Sequence, residues 1–315
     1  MKNLKIIEVK SELGAGTRGA SLGVDAIKIA ALDFGSRYFK KYTSVEVPHE
    51  NHLLLEAVGS PHARRISGAL TMLERVSEEV CKTLESKTFP IVLAGDHSTA
   101  AGTIAGIKMT FPKSRLGVIW IDAHADIHTP YTTLSGNLHG MPLAICLDED
   151  NTESKINIPD QETLNYWYQL KNVGNLSPKI TYQDLVFIGV REMEPQEDYL
   201  LKKNYVKQFS VADIRKKGVA RISIEVLQAL EHCDLLYISF DVDSIDPSIC
   251  KGTGTPVHDG ITEKEAGNLV ARLMENKKVC CFEIVELNPT LDNENLTAEH
   301  AFEILLRATN SLMNT

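Results

Sequence analysis

Leu116-Gly-Val-Ile-Trp-Ile-Asp-Ala-His-Ala-Asp126 decides the fold. Its first six residues form a nearly continuous apolar run, the pattern of a strand covered on both faces. Its last five place Asp122, His124 and Asp126 two residues apart, so an extended backbone projects all three to one side. Working outward, further strand patterns are Leu4–Val9, Pro90–Ala94, Leu185–Val190, Leu235–Phe240 and Val279–Leu287, with Ser44–Val47 a weaker one. Helical patterns lie between them at Val24–Phe39, His62–Glu85, Ser98–Met109, Arg221–His232, Glu263–Glu275 and Ala298–Leu312. Strands alternating with helices predict a doubly wound α/β fold on a parallel sheet. The 315 residues allow two domains, at about 150 residues each. No repeat, low-complexity tract or Pro/Gly-rich linker divides the chain, so residues 1–315 are expected to form a single domain. The polar stretch from Asp148 to Tyr182 reads as a long excursion from that domain, and its acidic run Asp148–Glu153 as a solvated loop.

Two other segments share the grammar of an apolar strand ending in ionisable groups: Ile91-Val-Leu-Ala-Gly-Asp-His97 and Tyr237-Ile-Ser-Phe-Asp-Val-Asp243. Carboxylates at the end of a buried strand carry a large desolvation cost unless they are compensated. Asp122, Asp126, Asp241 and Asp243, together with His97 and His124, have no Lys or Arg inside the three segments, which calls for cations of another kind. In an open parallel sheet the strands' C-terminal ends form the ligand crevice, so the segments can converge there. Two divalent ions balance four carboxylates, provided some carboxylates bridge. Carboxylate and imidazole without thiolate disfavour structural zinc and suit Mn²⁺, with Fe²⁺, Co²⁺ or Ni²⁺ possible. Two ions roughly 3.5–4 Å apart hold a water between them and lower its pKa toward neutrality, making a hydroxide nucleophile. One strand-end Asp alone reads as a helix or turn cap. Three such segments in one chain do not.

The 33 Lys plus Arg against 42 Asp plus Glu give a formal net charge of -9, which argues against a nucleic-acid partner. No apolar run is long enough for a secretory signal or a membrane span. None of the six cysteines forms a C-x-x-C pair, so free thiols in a reducing cytoplasm are expected. Two motifs near the start mislead. Gly14-Ala-Gly-Thr-Arg-Gly19 matches a dinucleotide fingerprint, but no acidic residue ends a second strand at the required distance. Gly19-Ala-Ser-Leu-Gly23 matches a nucleophile elbow, but about nine residues of loop separate it from Val9, where the motif needs a strand.

The motifs Ala94-Gly-Asp-His-Ser98, Asp122-Ala-His-Ala-Asp126 and Ser239-Phe-Asp-Val-Asp-Ser-Ile-Asp-Pro-Ser248 resemble the signatures of the ureohydrolases, the family of arginase, agmatinase and formimidoylglutamase. The similarity runs from the Arg18 turn to Glu286-Leu-Asn-Pro289. It implies a three-layer αβα fold around a parallel, roughly eight-stranded sheet, a binuclear Mn²⁺ centre and a homo-oligomer, usually a trimer or hexamer. Carried over by motif, His97, Asp122, Asp126 and Asp241 would hold one ion. Asp122, His124, Asp241 and Asp243 would hold the other. Thr132-Thr-Leu-Ser-Gly-Asn-Leu-His-Gly140 resembles the arginase version of the next segment. By that resemblance Ser135 and Asn137 hold the α-carboxylate of an amino-acid substrate, and His139 shuttles protons, a role that suits imidazole near neutral pH. Glu286 pairs with the guanidinium, Thr255 lines the site, and Asp126 relays a proton to the departing amine. Plainer roles are open for two of these: His139 as a helix cap and Glu286 as a strand-end ion-pair partner.

The pattern departs from the arginase version at His128, where Asn is usual, and at Glu192-Met-Glu194, where an Asp-x-Asp segment meets the substrate's α-amino group. Both changes fall on substrate recognition, at His128 and Glu194, and leave the metal set intact. The expected reaction is hydrolysis of L-arginine to L-ornithine and urea by a metal-bridging hydroxide. Agmatine, a guanidino acid or formimidoylglutamate are alternative substrates. From other classes, a non-catalytic ligand-binding protein and a dinuclear phosphoesterase compete. The lack of convergent Lys or Arg weighs against the phosphoesterase.

Overall fold

The computed structural model describes residues 3–314. Eight strands form one sheet: β1 (Leu4–Val9), β2 (Thr43–Glu46), β3 (Phe89–Ala94), β4 (Leu116–Ile121), β5 (Leu185–Ile188), β6 (Lys207–Phe209), β7 (Leu235–Asp241) and β8 (Val279–Val285). Their spatial order is β2-β1-β3-β8-β7-β4-β5-β6, and every neighbouring pair is parallel. The central strands are buried on both faces because helices cover both. Ile91, Ile119, Ile238, Phe240 and Phe282 face one core, with helices Gly23–Asp33, Val219–Ala229, Glu263–Met274 and Leu296–Met313 over it. Val92, Val118, Trp120, Tyr237 and Cys281 face the other, under helices Ile66–Glu85, Ala100–Thr110 and Pro142–Leu147. This is the three-layer αβα architecture expected from the motifs. Each aliphatic side chain buried this way stabilises the fold by about 1.5–3 kcal/mol, so the paired cores hold the strand ends in register.

Several elements differ from the sequence patterns. The helix expected over Val24–Phe39 breaks into Gly23–Asp33 and Tyr38–Lys41, because Gly35 at φ 63 turns the chain between them. The strand expected to run to Leu287 ends at Val285, where Glu286 takes a left-handed φ of 65. The strand at Leu185 stops at Ile188. Strand β6 and the helices Pro142–Leu147, Gln161–Lys171, Pro195–Lys203 and Val211–Lys217 carry no strong sequence pattern.

The acidic run Asp148–Glu153 is more than a solvated loop. Lys171 lies 2.8 Å from both Asp148 and Asp150, Trp167 Nε1 donates to Asp150, and Tyr182 donates to Glu149, so these contacts fasten the 148–182 excursion to its own helix. All six cysteines are free. Among the described residues no helix is long and apolar enough to cross a membrane.

Candidate metal centre and active site

The four innermost strands, β3, β8, β7 and β4, all deliver ionisable residues at their C-terminal ends: His97, Glu286, Asp241 with Asp243, and Asp122 to Asp126. The convergence does not come from extended backbone, as the two-residue spacing suggested. Strand β4 ends at Ile121, and Asp126 sits at a left-handed φ of 50. Asp243 lies in a short 3-10 turn, Val242–Ser244, whose N-cap is Asp241. Bends keep the side chains together: His124 N–H donates to Asp122 Oδ1 at 2.7 Å, Ala123 N–H to Asp243 Oδ1 at 3.2 Å, and Asp243 N–H to Asp241 Oδ1 at 2.7 Å.

Two lobes result, sharing Asp122. In the first, His97 Nδ1 lies 3.1 Å from Asp122 Oδ2, 3.0 Å from Asp126 Oδ2 and 3.2 Å from Asp241 Oδ2. In the second, His124 Nδ1 lies 3.0 Å from Asp243 Oδ2 and 3.5 Å from Asp122 Oδ1. His97 is locked from behind: its ring stacks on Trp120 at 4.0 Å, and its Nε2 lies 2.7 Å from Ser239 Oγ. Its Nδ1 therefore faces the carboxylates.

The donor set fits divalent cations. Buried His97 Nδ1 and Asp122 Oδ2 have no hydrogen-bond partner among the described residues, although each faces the other lobe members. Burial pushes the Asp241 and Asp243 carboxyls up, with the charges of Asp243 and Asp122 adding at Asp241 and that of Asp122 adding at Asp243. Burial, then Asp122, raises Asp126 to about 6. Burial alone would lower His97 and His124, but the carboxylates outweigh it and raise both. Even with both imidazoles charged, four carboxylates outnumber them, so the cluster lacks positive charge. Oxygen and imidazole donors suit Mn²⁺, Fe²⁺, Co²⁺ or Ni²⁺.

A cavity of about 330 Å³ opens above the cluster. It brings together the sequence-derived residues His124, Asp126, His128, Ser135, Asn137, His139, Glu194, Asp241, Asp243, Thr255 and Glu286, with His97 and Asp122 buried beneath. Thr255 Oγ1 donates to Asp243 Oδ2 at 3.0 Å. Glu286 is held by three bonds: its N–H donates to Gly95 O, while its Oε1 accepts from His97 N–H at 2.8 Å and lies 3.0 Å from His139 Nδ1. Burial would lower the His139 imidazole, but Glu286 beside it raises it to about 9. Burial opposes ionisation of Glu286, yet His139 holds its carboxyl below the ordinary value. His139 thus pairs with Glu286 and is not a helix cap.

At the wall, His128 Nε2 lies 3.0 Å from Glu194 Oε2 and 3.5 Å from Glu197 Oε2. Its Nδ1 lies 3.1 Å from Thr132 Oγ1. The imidazole holds Glu194 down to about 2, while burial raises Glu197 to about 8. Glu192 stands 3.5 Å from His124 Nε2. Sequence reasoning missed Glu197 and Thr133, both of which line the cavity. The signal for Glu197 was available: Glu194-Pro-Gln-Glu197 is a capping box with Pro at the first turn, which aims both carboxylates at one helix start. It also missed Arg191, whose guanidinium donates to the carbonyls of Asp243, Val257 and His258. Those bonds consume it as a brace, so it presents no anion site to the cavity.

The Gly14–Gly19 segment packs beside this site. Gly14 N–H donates to Asp96 Oδ2 at 3.1 Å, Gly14 O accepts from His139 N–H at 3.2 Å, and a side chain on Gly16 would meet Asn137 Nδ2 at 2.7 Å. Gly14 and Gly16 permit close approach to Asp96 and Asn137, so the segment supports the cavity-lining Asn137 and His139 from outside the cavity.

A parallel αβα sheet whose inner strand ends gather carboxylate and imidazole donors under a polar cavity is the framework of a metal-dependent hydrolase. The model of the arginase family matches residues 2–310, and the chain belongs to that family, as a hydrolase acting on guanidino compounds. It is 33% identical over 305 residues to the arginase of Bacillus subtilis (strain 168), covering 96% of each chain. The crystal structure of Bacillus caldovelox arginase superposes with a TM-score of 0.85 at 32% identity, covering 100% of this chain and 99% of that one. Entamoeba histolytica arginase in complex with L-ornithine gives a TM-score of 0.84 at 25% identity, with 100% of both chains covered.

Proposed function

We propose that this protein hydrolyses L-arginine to L-ornithine and urea at a binuclear manganese centre. The observation that carries the reading is the single cavity joining the carboxylate–imidazole cluster, Glu286 and the Ser135–Asn137 loop. His97, Asp122, Asp126 and Asp241 would hold one ion, and Asp122, His124, Asp241 and Asp243 the other. When bound, Mn²⁺ would compensate the carboxylates and bring the pKa of a coordinated water toward neutrality.

The residues do the rest. Glu286 receives the guanidinium and orients its carbon over the cluster, a positioning effect that replaces a bimolecular encounter. Ser135 and Asn137 take the α-carboxylate, Glu194 the α-ammonium, and His128 and Thr255 shape the wall. Asp126 accepts a proton from the attacking water and hands it to the amine nitrogen as the carbon–nitrogen bond breaks. His139 then exchanges protons with solvent. In the free site Glu286 keeps this imidazole charged. An arriving guanidinium claims Glu286 and repels that charge, which lowers the His139 pKa toward the range where it can shuttle.

The amino-acid reading is supported by the ornithine held in the Entamoeba relative. Self-association to a trimer or hexamer, and a reducing cytoplasmic setting for six free thiols, belong to the same reading. The test is urea and ornithine release from Mn²⁺-loaded protein, with agmatine beside arginine. Turnover of arginine well above agmatine supports the α-carboxylate contacts at Ser135 and Asn137. Equal turnover removes them, and no urea from either substrate overturns the reading.

A further inference from the structure

Glu283 is fully buried in the middle of β8, a central strand, where a carboxyl is costly. Among the described residues no ion pair with Lys or Arg compensates it, and its polar partners are the hydroxyls of Tyr237 and Thr103. Its place in the sheet explains its company. Trp120 on β4 pairs in register with Ser239 on β7, and Ser239 with Glu283 on β8, so the three form one row across the inner strands. Tyr237 sits two residues before Ser239 on the same face.

The polar atoms form a chain through this row. Tyr237 Oη donates to Glu283 Oε2 at 2.5 Å. Ser239 stands beside Tyr237 on the same face, and its hydroxyl, as a donor toward Tyr237, opposes the rise that burial imposes on that phenol. Ser239 Oγ lies 2.7 Å from His97 Nε2. Burial raises the Glu283 carboxyl, while the hydroxyls of Tyr237 and Thr103 and the charge of His97 favour its ionised, accepting form. Each hydroxyl has one proton to give, so Glu283 as acceptor fixes the direction of the chain. Glu283 accepts from Tyr237, Tyr237 accepts from Ser239, and Ser239 must then accept from His97 Nε2–H. That leaves the lone pair on Nδ1, the atom facing Asp122, Asp126 and Asp241. Reversing the chain would put the proton on Nδ1 and block it as a ligand.

We infer that Glu283 is a positioning residue for the metal centre: acting through Tyr237 and Ser239, it fixes the His97 tautomer and so sets the affinity of the ion that His97 holds. The inference rests on the metal reading of the cluster and reaches beyond its ligands. A partner that orients a ligating imidazole typically changes metal affinity 10- to 100-fold.

The experiment is calorimetric titration of Mn²⁺ into chelator-stripped wild type, Tyr237→Phe and Glu283→Gln, with melting of each metal-free form beside it. Tyr237→Phe cuts the chain, and Glu283→Gln keeps the shape while removing the charge that directs it. The expected result is two ions bound by wild type, with one of them weakened about tenfold or more in both variants and the other unchanged. Unaltered affinity for both ions in both variants overturns the inference. So does equal weakening of both ions with a matching fall in metal-free melting, the signature of general damage. A wild type that binds no Mn²⁺ overturns the metal reading itself, which separates that failure from this one.

Discussion

His128 sits between two carboxylates that a cationic substrate would otherwise meet, 3.0 Å from Glu194 and 3.5 Å from Glu197. A side chain that occupies an acceptor competes with any ligand that needs it, and a charge-assisted bond is worth more than a neutral one. His128→Asn keeps a polar but shorter side chain, which lacks the far nitrogen that contacts Glu194, and so frees that carboxylate. The expected outcome is a KM for L-arginine about fivefold lower, equivalent to about 1 kcal/mol, with kcat little changed, read by steady-state urea release. His139 gives a second test. Its pKa in the folded chain is raised to about 9 from an ordinary value of 6.5. A raised imidazole stabilises fully below the unfolded value and loses that stability as pH rises through the folded one. The contribution is therefore present below about pH 6.5 and gone above about pH 9, with a ceiling of about 3 kcal/mol. Metal-free wild type should lose melting temperature across that window relative to His139→Asn, and parallel melting curves for the two proteins would refute the pairing. The carboxylates and imidazoles of the cluster were legible because they stand at strand ends in short motifs. Glu197 was legible only as the end of a capping box, since its approach to His128 depends on the turn that Pro195 begins and on no spacing from Asp126.

Elements decide which of these side chains can meet. The long buried strands were readable because a two-faced strand needs an unbroken apolar run. The sequence reading of Leu116–Ile121 matches β4, and Leu235–Phe240 falls one residue short of β7. Strand β6 was not readable: Lys207–Phe209 is three residues at the sheet edge, with only Phe209 buried, so it carries neither a run nor an alternation. Helix Gln161–Lys171 escaped because only Trp167 and Leu170 supply its buried apolar anchors, too few to print an apolar stripe, with Lys171 ion-paired beside them. The loop that carries Ser135 and Asn137 depends on backbone more than on side chains. Gly136 has φ 74, and a Cβ there would lie 1.9 Å from Pro61 O, while Gly136 O accepts from Arg64 N–H at 2.8 Å. Gly136→Ala must both strain that dihedral, at roughly 1–2 kcal/mol, and push the 61–64 segment away. The loop then shifts without touching the carboxylate–imidazole cluster. We expect the KM for L-arginine to rise at least tenfold while Mn²⁺ stoichiometry stays at the wild-type value, measured by urea assay and metal analysis on the same preparation. Loss of metal together with activity would show that the loop supports the cluster itself.

At the scale of the whole molecule, the parallel sheet concentrates acid where its inner strands end. The formal charge of -9 is not spread evenly, because the cavity alone is lined by Asp126, Glu192, Glu194, Glu197, Asp241, Asp243 and Glu286. Like charges gathered in one buried place oppose folding until something neutralises them. His97 and His124 supply part of the compensation in the metal-free chain, so the fold should persist without ions but gain when they bind. A ligand that binds only the folded state stabilises it by about 2.7 kcal/mol per site when present at a hundredfold its Kd. For a chain of this size each kcal/mol shifts the melting temperature by on the order of 2 °C, so each occupied site is expected to add roughly 5 °C. Scanning fluorimetry of chelator-treated protein with and without Mn²⁺ measures this directly. Asp241→Asn removes a carboxylate from the crowded end of β7, where burial and Asp243 already resist its ionisation. Its metal-free form should therefore melt no lower than wild type, while its Mn²⁺-dependent gain should fall by at least half. An undiminished gain in that variant would mean that the ions, and the charge they neutralise, lie elsewhere.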